Sequence, residues 1–275
     1  MHDYPTFPPL ADVPELLDGG HLWIQERVSG GPLRFAMSDA GVLQFGDDRR
    51  PFRRDDVPPP YRHAVREVTG TFDRAGLRSA VSAVEAITFA GVATFRADRV
   101  YDWRRLPGFL GIAIHDADRG DWLPIDHVER IYRELGLEPL NALQKEVRAV
   151  DFDPDRYEWP NSAWGDGEVS GVLLRNKRGL AATLSNPTAP EPPTVEPASG
   201  PTAEIVSEWL PQSRLRRALE GAGKGPRSVD TGRLADRLVA AVEREHHREI
   251  EHHESTVERE ELRPAIIRLL ESVDR

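Results

Sequence analysis

The residue types that chemistry would need are gathered between Gln25 and Phe35. Glu26, Arg27 and Ser29 precede a Gly30-Gly31-Pro32 break, with Leu22-Trp23-Ile24 before them and Phe35-Ala36-Met37 after. Two apolar runs interrupted at Gly-Gly-Pro read as two β segments joined by a backbone kink. Such a kink lets the main chain pass close to a ligand. Arg27 beside it is a permanent cation whose planar fork suits a phosphate. The competing reading is a β-turn ringed by solvated charges.

The same stretch resembles motif I, E-K-x-D/H-G, of the covalent nucleotidyltransferases: ATP-dependent RNA and DNA ligases and capping enzymes. In that family the lysine attacks ATP and carries AMP as a phosphoramide. Here Arg27 stands at the lysine and Ser29 at the Asp or His. The resemblance continues in order. Phe45-Gly46-Asp47-Asp48-Arg49-Arg50 sits where ligases place a phosphate-gripping arginine. Phe89-Ala90-Gly91-Val92 is similar to motif III, with Val92 in place of its glutamate, and Phe109 to Ile114 resembles motif IIIa, whose aromatic stacks on adenine, with Ala113 at its usual acidic position. Ser170-Gly171-Val172-Leu173-Leu174-Arg175 is similar to motif IV, E-G-V-V-I-R, with Ser170 replacing the glutamate. Leu180 to Pro187 lies at motif V and lacks its lysines. A helical tail beyond motif V, instead of a small β-barrel, resembles the RNA-ligase branch.

The resemblance implies an α+β nucleotidyltransferase (ligase-like) domain, two antiparallel sheets with flanking helices around a cleft, followed by a C-terminal all-α bundle. It implies a nucleotide- or phosphate-binding set drawn from Glu26, Arg27, Gly30, Arg34, Arg49, Arg50, Phe109, Arg175 and Lys177, with Phe109 as a stacking surface. Against it stands the reading of these arginines as surface charges of an Arg-rich chain and of Phe109 as core. No catalytic residue is retained. The first step needs an amine that becomes neutral near neutral pH, as a lysine does in a cationic or desolvated pocket. A guanidinium stays protonated. Metal-assisted transfer needs carboxylates beside the phosphate, and Val92 and Ser170 supply none. Glu168, two residues before Ser170 and on the same strand face, is a displaced substitute to consider.

Composition limits the alternatives. The chain has 275 residues, a net charge of −10 and no cysteine, which argues against a general nucleic-acid coat and removes thiolate and disulfide chemistry. Of 36 basic residues only Lys145, Lys177 and Lys224 are lysine. The N-terminal residues carry no leader pattern and no apolar run is long enough to span a bilayer, so the expectation is a cytoplasmic chain with no membrane partner. His246, Glu249 and His253 share one helix face and His247 pairs with Glu251, yet the interleaved charges favour a solvated helix, and no metal site is read. Arg214, Arg216 and Arg217 read as a solvated face more than as an RNA contact.

The elements that must position the cleft follow from pattern. Residues 1–20 read as a Pro-rich lead and a turn; strands are expected at 22–28, 33–37, 42–46, 86–94 and 109–116, and helices at 61–82 and 125–136. Lys145 falls in an expected helix. A hairpin at 171–184 ends the first domain, residues 1–187. Six of the fifteen residues from Pro187 to Pro201 are proline, a semi-rigid linker over 188–201. Residues 202–275 are a helical domain: Thr202 is expected to cap a first helix, a second covers Leu215 to Leu219, a third runs toward Ile250, and the last begins near Ser255 with a restart at Pro264.

Three functions follow from these readings. The first is an RNA-ligase-like protein without catalysis that binds RNA ends or a nucleotide, or partners an active ligase. The second is an active ATP-dependent RNA ligase that uses ATP, magnesium and a displaced lysine, with Lys177 first in line. The third is a protein-interaction scaffold with an empty cleft.

Overall fold

The computed structural model describes residues 1–53, 55–189, 191, 194–222 and 230–273. Lys224 and its Gly-rich surroundings lie outside them. The chain divides into two compact units, residues 1–94 with 98–192, and residues 95–97 with 193–275.

The first unit holds two antiparallel sheets. One has the order β7-β1-β8-β9, built from Ala142–Arg148, His21–Glu26, Gly171–Asn176 and Ala181–Ser185. The other has the order β3-β2-β4-β5-β6, built from Leu43–Gly46, Gly30–Met37, Ile87–Thr94, Phe109–Asp116 and Asp121–Trp122. The kink expected at Gly30-Gly31-Pro32 falls earlier: residues 30–32 pair with β4 as part of β2, and the chain leaves the first sheet after β1 and enters the second through Arg27, Val28 and Ser29. Two adjacent β segments therefore belong to different layers, and the residues between them sit at the joint.

Glycine decides how closely β2 approaches β4 there. Gly30 has φ +156°, and a Cβ on it would lie 2.1 Å from the Ala93 carbonyl oxygen, so no side chain fits. Between the sheets lie Val28, Ala90, Leu110, Ile112, Leu140 and Leu173. Another aromatic layer, Phe35, Phe72, Phe89, Phe109 and Tyr132, stacks at centroid distances of 4.8 to 6.0 Å. Helices α1 (Arg62–Thr71) and α3 (Ile125–Glu134) pack against β5. The expected helix at 61–82 breaks after Thr71 and resumes as α2, Arg74–Ala80, because Asp73 caps a new N-terminus through the N–H groups of Ala75 and Gly76.

Two segments depart from their sequence patterns. Lys145 lies on strand β7, the edge of its sheet, not on a helix. The run Ala142–Arg148 is only partly buried and carries three adjacent polar residues, Gln144 to Glu146, so it lacks a strand-like alternation. A bulge there puts Glu146 at φ +56°. Residues 1–9, read as a lead into β1, instead cross from the second sheet to the first.

In the second unit, α4 (Thr202–Trp209), α5 (Gln212–Ala222), α6 (Thr231–Glu245), α7 (His247–Glu251) and α8 (Arg259–Val273) close over Val206, Leu215, Leu238, Val242, Leu262 and Ile266. Thr202 is the first helical residue and Pro201 precedes it as the cap. The last helix starts at Arg259 and runs through Pro264 unbroken. No helix among the described residues is long and apolar enough to cross a membrane.

Candidate functional site

Arg27 is the exposed residue of the step between sheets. Its N–H donates to the Gly171 carbonyl (3.0 Å) and its own carbonyl accepts from Ser170 Oγ (3.4 Å). The turn is pinned again two residues on, where the Ser29 N–H donates to Tyr101 Oη (2.9 Å) and Ser29 Oγ accepts from the Asp98 N–H (3.3 Å). Burial pushes the Tyr101 phenol up to about 12, so it stays an uncharged acceptor at this position. A backbone held on both sides lets the Arg27 side chain reach outward, where Nη1 donates to Ser185 Oγ at 3.3 Å. That hydroxyl is its one side-chain partner among the described residues.

A cavity of about 770 Å³ opens beside Arg27. Val28, Val92, Ile112 and Leu173 form apolar walls, Gly30 and Gly31 a bare backbone edge, and Tyr4 and Phe7 enter from the N-terminal segment. Arg27 is its cation and Asp48 its carboxylate. Segments 65 to 158 residues away from Arg27 in sequence thus meet it: Val92 lines the cavity, Ser170 touches the Arg27 carbonyl and Ser185 meets its guanidinium.

The other residues singled out in the sequence have distinct surroundings. Glu26 is 1% exposed and accepts from Asn141 Nδ2 (3.0 Å), the Ala163 N–H (3.1 Å) and the Ser162 hydroxyl, so it ties β1 to two loops. Arg34 is buried, donating to the Asp47 carbonyl (2.8 Å), the His2 carbonyl (2.6 Å) and Asp3 Oδ1 (3.1 Å). Arg49 and Arg50 are exposed on a loop shaped by Asp47, whose Oδ1 accepts both their N–H groups, and Arg50 faces Asp56 at 3.9 Å. Phe109 is 0% exposed within the aromatic layer.

Arg175 is 8% exposed and donates to the Ile112 carbonyl across the two sheets. Burial lowers its pKa to about 10, partly offset by the Tyr132 and Tyr4 phenols. It lines a second cavity of about 670 Å³ with Arg119, Trp122, Lys177 and Arg178. Lys177 lies there, at the far end of β8 from Arg27. Its Nζ is 2.8 Å from Glu146 Oε1 and 4.0 Å from Asp126 Oδ2, and its hydrogen bond to Glu146 raises its pKa. Lys145 is likewise paired, donating to both Glu129 oxygens at 2.6 and 2.8 Å. Glu168 is exposed and accepts from Asn186 and Thr188.

In the second unit the histidines disperse. His246 stacks on Trp209 at 4.2 Å and lies 3.3 Å from Glu249; Glu249 pairs with Arg96. His247 meets Phe95 edge-on, and His253 stacks on His252. Among the described residues no three His, Cys, Asp or Glu side chains converge as metal ligands. Arg214 makes a bidentate pair with Glu245 at 2.6 and 2.7 Å, whereas Arg216 and Arg217 are exposed.

The arrangement of the two sheets has known counterparts. Three structures of a Naegleria gruberi RNA ligase match with probability 1.00: a variant with ATP and Mn (TM-score 0.52, 11% identity, 68% of this chain and 56% of that one), the ligase with PPi (0.51, 11%, 67% and 56%), and a variant with AMP and Mn (0.52, 11%, 66% and 55%). The fold is like that of these RNA ligase structures. This ligase-like chain spans a little over half the length of the ligase it matches. No protein-family model and no curated protein matches the sequence.

Beside Arg27 the cleft offers one guanidinium, a bare glycine edge and apolar walls. At the two positions where the family resemblance places carboxylates it has Val92 and Ser170, and among the described residues Asp48 is the one carboxylate lining the cavity. A divalent ion held beside a transferring phosphate takes several oxygen ligands. Sequence reasoning passed over Tyr4, Phe7 and Tyr101, which only tertiary structure brings to the cleft and no local pattern marks. Asp48 and Ser185 fall inside stretches read as family motifs but were not singled out as site residues.

Proposed function

We propose that this chain is a catalytically inactive RNA-ligase-like protein that binds a nucleotide or a phosphorylated RNA end in the cleft between its sheets. One observation carries the reading: the Arg27 guanidinium, at the position of the family's nucleophilic lysine, faces a cavity with no ion-pair partner among the described residues. Arg214, by contrast, is matched by a carboxylate, Glu245. An arginine left free at a cavity mouth is available to an incoming anion. The Naegleria ligase structures hold ATP, AMP or PPi, which supports the same ligand class here.

The residues divide the work simply. Arg27 donates up to two parallel hydrogen bonds to phosphate oxygens. Ser185 and Ser170 add hydroxyls at the same edge, and Val28, Val92, Ile112 and Leu173 accept the flat ring. Among the described residues no side chain at this edge can become a neutral amine, so on this reading bound ATP meets no nucleophile of the family's kind there.

Titration of the chain with labelled ATP and with a 5′-phosphorylated RNA oligonucleotide, over a range of salt, tests the reading. The expected result is salt-sensitive binding that Arg27→Ala weakens by about tenfold, with a salt slope smaller by about one. Binding that Arg27→Ala leaves unchanged would overturn the site. No binding at low salt by either form would favour a protein-interaction role.

A further inference from the structure

Residues 1–9 run through the cleft, and their contacts fall on both sheets. On the second sheet, the His2 N–H donates to Thr88 Oγ1 (2.9 Å), the His2 ring stacks on His115 (3.6 Å), and Tyr4 Oη donates to the Gly91 carbonyl (2.9 Å). On the first, the Thr183 N–H donates to the Pro8 carbonyl at 2.8 Å, on the free edge of β9. Pro5, Thr6 and Phe7 line both the cavity beside Arg27 and the cavity beside Arg175. The segment therefore lies within one inter-sheet cleft and divides it into two lobes, of about 770 and 670 Å³.

A segment belonging to the core would leave little space on either side of it. This one leaves both lobes open. Its hold on β9 is also limited by composition. Residues 5, 8 and 9 are proline and have no N–H to donate, so the strap cannot form a continuous ladder with the edge strand. Its Asp3 carboxylate is 93% exposed, so the firmest hold on this side is the buried Arg34 donating to the His2 carbonyl at 2.6 Å, three to seven residues away from Pro5 to Pro9. The prolines keep the segment extended whether docked or released, which lowers the entropy lost on docking. Together these make an attachment that is specific and reversible.

What the strap inserts resembles what a purine nucleotide would insert. Tyr4 brings a flat ring against the apolar wall and one donor to a main-chain carbonyl, the same two features that a purine ring and its exocyclic amine present. Phe7 adds a second ring.

We propose that residues 1–9 are an autoinhibitory strap: Tyr4 and Phe7 hold the ring position of the cleft, and a nucleotide enters only as the strap leaves. This rests on the reading of the cleft as a nucleotide site and adds its regulation. A strap docked about nine-tenths of the time lowers the apparent affinity about tenfold.

The test compares the full chain, the chain lacking residues 1–9, and the full-length double variant Tyr4→Ala/Phe7→Ala, which keeps the Pro8 attachment if the deletion fails to fold. Each is titrated with labelled ATP while amide exchange at Thr183 is followed. Expected are about tenfold tighter binding by the deletion or the double variant, and, in the full chain, a Thr183 amide protected when free and exposed when ATP is bound. Equal affinities, or a Thr183 amide that stays protected with ATP bound, overturn the strap and leave the nucleotide site standing. No ATP binding by any form overturns the nucleotide reading and with it the strap's gating role.

Discussion

Arg27 and Lys177 sit at opposite ends of strand β8, and each has a claim to the chemistry of a ligase-like cleft. On the proposed reading Arg27 stands at the nucleophile's position but carries a group that cannot act as one. Lys177 carries the right group and stands elsewhere, against two carboxylates. Its hydrogen bond to Glu146 and the charge of Asp126 stabilise the ammonium, the opposite of what an attacking amine needs. The difference teaches that position and protonation have to coincide. On the proposed reading each site has one of them, which would suit the cleft to holding a phosphate and not to attacking it.

The largest expected effect concerns the frame that both positions share. Glu26→Ala removes a buried carboxylate that accepts from Asn141, Ser162 and Ala163 and leaves their donors unpaired. Thermal or urea unfolding should show a loss of about 3 kcal/mol; a loss under about 1 kcal/mol would mean that the Arg27 end of the cleft is not braced this way. Next comes a restoration experiment. Arg27→Lys returns an amine to the nucleophile's position, but Val92 and Ser170 still supply no carboxylates. The variant should therefore form no covalent AMP within detection, and a stoichiometric adduct would show that the amine alone was missing.

Smaller effects sharpen the contrast. Lys177→Ala should change ATP affinity by less than about twofold, because Lys177 lies away from the Arg27 cavity and makes an exposed ion pair of little net worth; a tenfold loss would join the two lobes into one site. The protonation of Lys177 can be read directly by the pH dependence of its acylation, mapped by mass spectrometry. Because Glu146 raises its pKa, Lys177 should need a higher pH than a free lysine to react, and Glu146→Gln should move its profile down. An unshifted profile would remove the argument that this amine is held protonated.

Much of the frame was legible in the sequence. Alternation and turn residues placed β1 to β5, the β8–β9 hairpin and α3, because these signals are local. A break between two β segments was legible but was placed at Gly-Gly-Pro, which lies inside β2; the step at 27–29 and its crossing between sheets depend on pairings with β4 and β8 that no local pattern carries. Strand β7 was hidden because an edge strand beside a bulge needs no alternation, and Lys145 inside it reads equally well on a helix. The ligand-facing set was legible only in part. Arg27 and Gly30 announce themselves by type and place, but Phe109 shows that an aromatic in a strand says nothing about which face it takes. Tyr4 and Phe7 gave no sign, since a Pro-rich lead is indistinguishable in sequence from a strap that folds back into a cleft.

The central claim is that a guanidinium at the nucleophile's position leaves this ligase-like chain unable to accept adenylate. Incubating the purified full-length protein with labelled ATP and magnesium or manganese, then analysing the intact mass and acid-labile label, tests it directly. The account predicts unmodified protein and reversible binding only. One AMP per chain, attached to Lys177 or any other lysine and passed on to seal an RNA strand, would contradict it.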